Sequence, residues 1–173
     1  MNLELMALSW LRWEKRCSIV LSERSPREAW CGRPDALGVM ASRHLVEIEI
    51  KRTLSDFKAD QKKPSRNEVR RNFMADKLPM YFYYLVPPDL VKRVELLVPT
   101  WAGLMRGPEY GEPQGIRVVK QAPKNKEAKR LTVRECCRLV LMVNNHALSE
   151  LSRVEASRNG FVYGHYDWEE YQI

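Results

Sequence analysis

Apolar residues change their spacing several times along the chain, and each change marks an element. Leu3, Met6, Ala7, Trp10 and Leu11 recur every three or four positions, which predicts a helix over about 3–15. Residues 17–21 then read as a short strand, and the polar run 22–32, with Pro26 and Gly32, as a loop. Residues 35–40 are strand-like, and a turn at 41–43 leads into Leu45–Val–Glu–Ile–Glu–Ile–Lys51. That segment alternates strictly, with Val46, Ile48 and Ile50 on one face and Glu47, Glu49 and Lys51 on the other. A short helix follows, begun by Thr53 or Ser55 and ended before Pro64. The basic segment 62–71 merges into a second helix reaching about residue 76. The continuous run Tyr81–Val86 predicts a buried central strand, stopped by Pro87 and Pro88, with Asp89 placed to cap a short helix. Strands are expected at 101–106 and 116–120, either side of a Gly- and Pro-rich loop at 107–115. Thr132 with Glu135 forms a capping-box pattern that opens the longest helix. It runs through Leu139, Met142 and Val143 to about residue 147 and on toward 157, with Gly160 as its breaker.

The order helix, strands, helix, strand, strands, helix predicts an α/β domain with a mixed β-sheet. One domain spans 1–158, and an aromatic, acidic tail with Tyr163, Tyr166, Trp168 and Tyr171 spans 159–173. A chain of 173 residues that is 45% hydrophobic and 29% charged is long and apolar enough for a real core. No run of eighteen or more apolar residues exists, and no basic segment precedes the apolar start, so neither a membrane span nor a signal peptide is expected. A cytoplasmic location is the expectation. Cys17, Cys31, Cys136 and Cys137 have no zinc spacing and read as reduced thiols. The 29 Lys and Arg against 22 Asp and Glu leave a net charge of +7, with a pI of about 9.3. Such a balance favours polyanions, of which nucleic acid is one and membrane surfaces and ribosomes are others.

Charge alone does not choose among these; a constellation around the alternating strand does. Hydrolysis of a phosphodiester near neutral pH needs a neutralised phosphate, an activated water and a stabilised leaving oxygen. A hard divalent cation held by one or two carboxylates supplies much of this. A nearby Lys can orient or deprotonate the water and offset developing charge. Asp35 opens one strand, and Glu49 and Lys51 share a face at the end of the next. A short hairpin between those strands brings Asp35 beside Glu49.

Pro34–Asp35, thirteen intervening residues and then Glu49–Ile50–Lys51 resemble the signature of the PD-(D/E)XK nuclease superfamily. A helix before the Asp, the Ser–Asp–Phe–Lys–Ala–Asp helix after the Lys, and Tyr81–Phe82–Tyr83–Tyr84 before Pro87–Pro88 are similar to small bacterial DNA-repair members. The resemblance covers residues 5–147 in element order and 33–60 in detail. It implies a restriction-endonuclease-like fold, with a central mixed β-sheet flanked by helices, and a Mg²⁺-dependent deoxyribonuclease, with Mn²⁺ as a substitute metal. It implies metal ligation by Asp35, Glu49 and the carbonyl of Ile50. Members often add an acid from the first helix; Glu14 is the first candidate here and Glu23 the second. Repair, recombination and phage DNA processing all fit, and RNA stays open as a substrate. The alternative is a nucleic-acid-binding or interaction module on the same fold that does not cut.

Acidic–x–Lys triplets also occur at Asp56–Phe57–Lys58, Asp60–Gln61–Lys62 and Glu127–Ala128–Lys129, and a second Pro–Asp at 88–89. Only the 35/49/51 set lies on an alternating strand preceded by a strand carrying the Asp. Asp56 and Asp60 share a helix face and could back the site, but Lys58, Lys62 and Lys63 beside them favour a solvated helix. Arg52, Lys58, Lys62, Lys63, Arg66, Arg70 and Arg71 follow the strand and are the candidate phosphate-backbone contacts. His44, His146 and His165 lack ligand spacing. No nucleophile elbow or phosphate-cradling Gly loop is present, so no nucleotide cofactor is expected. One site per domain cuts one strand, so double-strand cleavage would need a homodimer or two visits.

Overall fold

The computed structural model describes residues 2–22, 34–62, 78–109 and 115–159. The loop over 23–33, the helix expected to reach 76, the breaker Gly160 and the aromatic tail therefore lie outside the described residues. So do Glu23, Cys31, Lys63, Arg66, Arg70, Arg71 and His165.

Helix α1, Leu3–Ser9, begins at Asn2, whose side chain accepts from the Leu5 amide. It runs on into a π-helical turn at Trp10–Glu14, closed by the Lys15 amide donating to the Trp10 carbonyl. Arg16 takes a positive φ of 57°, which swings the chain out of the helix. The first strand, β1, therefore starts at Ile19 and runs to Ser22, later than the apolar run suggests. β2, Ala36–Val39, turns at 41–43 into β3, Leu45–Ile50, with Arg43 at φ 64°. Helix α2, Leu54–Gln61, is capped by Thr53, and β4, Tyr81–Val86, follows. Asp89 does not cap a helix: it lies inside a 3₁₀ turn, Pro88–Leu90, entered at Pro87. Proline fixes the entry dihedral and lacks the donor a side-chain cap would serve. The short α3, Val91–Val94, follows without a side-chain cap. β5 is Gly103–Arg106 and β6 is Arg117–Lys120; Trp101 and Ala102 precede the strand. The long α4, Val133–Asn159, opens on the expected capping box: the Thr132 amide donates to Glu135 at 2.8 Å and the Glu135 amide to Thr132 at 3.2 Å.

The six strands form one open sheet in the order β1-β2-β3-β4-β5-β6. β1–β2, β2–β3 and β5–β6 are antiparallel, while β3–β4 and β4–β5 are parallel. The fold is thus α/β, a mixed sheet flanked by helices. On one face, Leu3, Ala7 and Leu11 of α1 and its continuation pack on Val46, Ile48, Ile50, Tyr83 and Leu85. The other face carries two separate apolar clusters. Phe57 of α2 and Leu90 and Val94 join Phe82, Tyr84 and Leu104 over β4 and β5. Leu131 and Leu139 join Leu21, Leu37, Val39 and Leu45 over β1 and β2. Glu47 and Glu49 of β3 and Lys51 just after it belong to neither, so the alternation of β3 delivers these charges between the clusters. No helix of the described residues is long and apolar enough to cross a membrane.

Candidate functional site

β3 is buried along its whole length. Its charged side chains are not a solvated strand face: Glu49 is 6% exposed and Lys51 4%. The ladder to β4 continues one residue past the strand, the Lys51 amide donating to the Leu85 carbonyl at 3.0 Å. That bond fixes the backbone from which the ammonium projects. Lys51 Nζ donates to Glu49 Oε1 at 2.9 Å, the period-two neighbour on the same face.

Asp35 stands one residue before β2. The register pairs Ala36 with Ile48 and Leu37 with Glu47, so one step further sets Asp35 opposite Glu49. Its Oδ2 accepts from the Ile50 amide at 2.5 Å. The chain thus brings Asp35, Glu49, Ile50 and Lys51 together at one strand end, as the alternation and the hairpin imply.

Asp60 is the member that the charge pattern undervalued. α2 docks on β4 through Phe57, whose ring lies 4.9 Å from that of Tyr84. One turn later the helix sends Asp60, 3% exposed, toward the same place. Asp60 Oδ1 lies 3.2 Å from Lys51 Nζ, and Tyr84 Oη donates to Asp60 Oδ2 at 3.3 Å. Asp56 is more exposed and more distant, 3.9 Å from the ammonium. The expectation of a wholly solvated helix therefore fails at Asp60 and holds at Lys58 and Lys62, which are exposed. The available signal was a residue three after Phe57, the only aromatic of that helix, and hence on the face the aromatic buries.

Burial by itself would lower the pKa of Lys51. The hydrogen bond that Lys51 donates to Glu49 and the charges of Glu49 and Asp60 outweigh it, and the net shift is upward from 10.5. Lys51 is accordingly an ammonium throughout the neutral range, suited to orient a water and balance negative charge.

Glu14 is not gathered with this group. It is exposed, at the far end of the π-helical turn, next to Lys15, whose Nζ lies 4.2 Å over the Tyr81 ring. Tyr81 pairs with Val46, at the opposite end of β3 from Glu49. Arg52 is exposed just beyond the site.

Among the described residues no group of three or more His, Cys, Asp or Glu is arranged to hold a metal ion. The candidate centre instead combines two carboxylates with the Ile50 main chain. These are hard oxygen donors, the kind that Mg²⁺ takes when water and substrate complete its shell. A carboxylate accepts at both oxygens, so bonds from the Ile50 amide and from Lys51 are compatible with ligation. The donor set therefore fits the implied metal.

No protein-family model matches the chain, and no curated protein matches it. Among solved structures it is similar to a protein of unknown function from Silicibacter pomeroyi, at 18% identity and a TM-score of 0.54, covering 93% of each chain. That likeness extends over nearly the whole chain and speaks to the fold alone.

Proposed function

We propose that this chain is a metal-dependent nuclease of the PD-(D/E)XK kind that hydrolyses DNA phosphodiester bonds. The observation that supports it is the convergence of Asp35, Glu49 and Lys51 at one buried strand end. Glu49 and Lys51 are buried and Asp35 half-buried, outside the two apolar clusters of that face, and such charges are costly unless they do something together. Asp35, Glu49 and the Ile50 carbonyl would hold Mg²⁺, or Mn²⁺ in its place. When bound, the cation supplies charge neutralisation at the phosphate and a more acidic water.

The chain's own residues do the rest. Asp35, anchored on the Ile50 amide, locks β2 to the end of β3. Lys51 presents an ammonium to the water and to the charge that develops on the phosphate. Glu49 and Asp60 hold that ammonium from two sides. Arg52, Lys58 and Lys62, all exposed, offer charge to a phosphate backbone beside the site, and Lys63, Arg66, Arg70 and Arg71 extend that basic segment in sequence. A cytoplasmic location suits such a substrate.

The test is nicking of supercoiled plasmid with Mg²⁺ or Mn²⁺, with and without a chelator. Wild type should nick only with the divalent ion. Lys51→Ala should nearly abolish nicking while retaining DNA retardation in a gel. Lys51→Arg should also be poor, since a planar guanidinium does not replace the ammonium between Glu49 and Asp60. Retardation by the wild type without any metal-dependent nicking would instead select a binding module on the same fold.

A further inference from the structure

Two cations have a claim on Glu49. It is a proposed ligand of the metal, and its Oε1 already accepts from Lys51 Nζ at 2.9 Å. The other oxygen can still ligate. Yet an ammonium so close draws on the charge of the carboxylate and repels a cation beside it, and burial of both side chains strengthens that effect.

The chain brings a second carboxylate to the same ammonium. Asp60 Oδ1 lies 3.2 Å from Lys51 Nζ, and Tyr84 Oη donates to Asp60 Oδ2 at 3.3 Å. Three contacts set which face of α2 turns inward. The Thr53 hydroxyl accepts from the Asp56 amide at 3.1 Å, the Phe57 ring lies 4.9 Å from that of Tyr84, and Gln61 Nε2 donates to the Leu97 carbonyl at 2.6 Å. Asp60 is thereby held in the interior. Stability alone is a poor reason for an acid there. Glu49 already pairs the ammonium, and a second buried carboxylate costs desolvation that an apolar side chain at the same helix position would not. Nor does Asp60 complete a ligand set with Asp35 and Glu49: among the described residues no three acids, His or Cys are arranged to hold a metal ion.

We propose that Asp60 is a positioning residue of the centre, which takes up the Lys51 ammonium when a cation draws on Glu49. Metal and ammonium then need not share one carboxylate. Glu49 gives its charge to the metal, and Lys51 stays in place to face the water. Tyr84 keeps Asp60 aimed at Lys51. Asp60 so acts through Lys51 and touches neither metal nor substrate, a role that rests on the metal-dependent reading of the site.

Mn²⁺ binding to the full chain without DNA tests it, followed by the electron paramagnetic resonance signal of the free ion. Wild type should bind the ion. Asp60→Asn keeps a partner for the Tyr84 hydroxyl but leaves Lys51 leaning on Glu49 alone, and should weaken Mn²⁺ binding by about tenfold or more. Lys51→Met should tighten binding by about threefold or more, since it removes the competing ammonium. With Lys51→Met already in the chain, Asp60→Asn should cost less than about threefold, because the two residues act as one unit. A tenfold loss in that background as well would make Asp60 a ligand and overturn the proposal. Binding by Asp60→Asn equal to wild type would make the contact structural only; that too overturns it, and leaves the metal-dependent reading standing. Should Asp60→Asn lose its folded circular dichroism, Lys51→Met still decides: without tightening, ammonium and metal do not compete and the proposal falls. A wild type that binds no Mn²⁺ defeats the metal-dependent reading itself, and the role of Asp60 with it.

Discussion

Lys51 is the residue on which stability and the proposed chemistry meet. It sits between Glu49 and Asp60, and Tyr84 steadies Asp60 from behind. Asp60→Asn keeps a partner for the Tyr84 hydroxyl but removes one of the two charges at the ammonium. It should cost about 1–3 kcal/mol in urea melts, whereas Tyr84→Phe should cost about 1 kcal/mol or less. Equal stability of Asp60→Asn and wild type would show that the 3.2 Å pair contributes nothing. Cys17 makes a separate prediction. It is wholly buried, and burial raises its thiol to about 11 against the partial opposition of Lys15 and Arg12. The folded state therefore keeps a proton that the unfolded chain loses near 9.0. Its contribution is complete below that pH and is lost as pH rises from 9 toward 11, by about 2–3 kcal/mol in all. The raised pKa of Lys51 acts in the same direction, at or above 10.5. The alkaline decline should thus be shallower in Cys17→Ala than in wild type when the midpoints are followed from pH 8 to 11; parallel declines would refute the assignment.

At the scale of elements, two glycines fix how closely neighbours approach. A Cβ on Gly38 of β2 would stand 2.6 Å from Cys17 Sγ and 2.9 Å from Leu11 Cδ2, where the end of the first helix crosses the sheet. A Cβ on Gly103 of β5 would stand 2.4 Å from the Tyr83 ring and 2.6 Å from the Ala122 backbone nitrogen. Each Gly→Ala change should destabilise by about 1–3 kcal/mol. Gly103→Ala should be the worse, because the Tyr83 ring is buried and the Ala122 obstacle is main chain. Thermal melts of the two variants give the order, and a melting point unchanged in Gly103→Ala would contradict the packing. Neither contact was legible in the sequence, where both glycines are ordinary members of apolar runs. What was legible is whatever depends on local period. The alternation of β3, the apolar run of β4 and the Thr132–Glu135 box all stand where spacing put them, and of the two candidate caps, Thr53 and Ser55, Thr53 serves. What was not legible depends on how an element docks. Glu14 was the first candidate for an acid from the first helix, but helix direction carries it to the other end of β3 from Glu49. Asp60 looked like a solvated charge among lysines until Phe57 set which face of α2 is inward. Asp89 follows a Pro–Pro pair whose 3₁₀ turn absorbs it.

For the molecule as a whole, the net charge of +7 makes DNA affinity a question of salt. If the basic segment after β3 tracks the backbone, the log of affinity should fall linearly with the log of salt, by about 0.9 for each duplex phosphate neutralised. Removing Lys62 and Lys63 together, or Arg70 and Arg71 together, should make that slope shallower by about one or two units. Cleavage at saturating DNA should change much less, since positioning and bond breaking are separate tasks. Slopes unaltered in both double variants would mark the segment as an ordinary solvated surface. The sheet carries one more consequence. Slippage of β3 by a single residue would turn Glu47, Glu49 and Lys51 into the α1 layer, among Leu3, Ala7 and Leu11, and push Val46, Ile48 and Ile50 out toward the gap. A strand with two apolar faces could tolerate such an error and populate two pairings. Here the misaligned sheet would bury three charges in hydrocarbon, so the charges that set apart the candidate site also act as a key that admits one alignment of the central strand and rejects its nearest competitor.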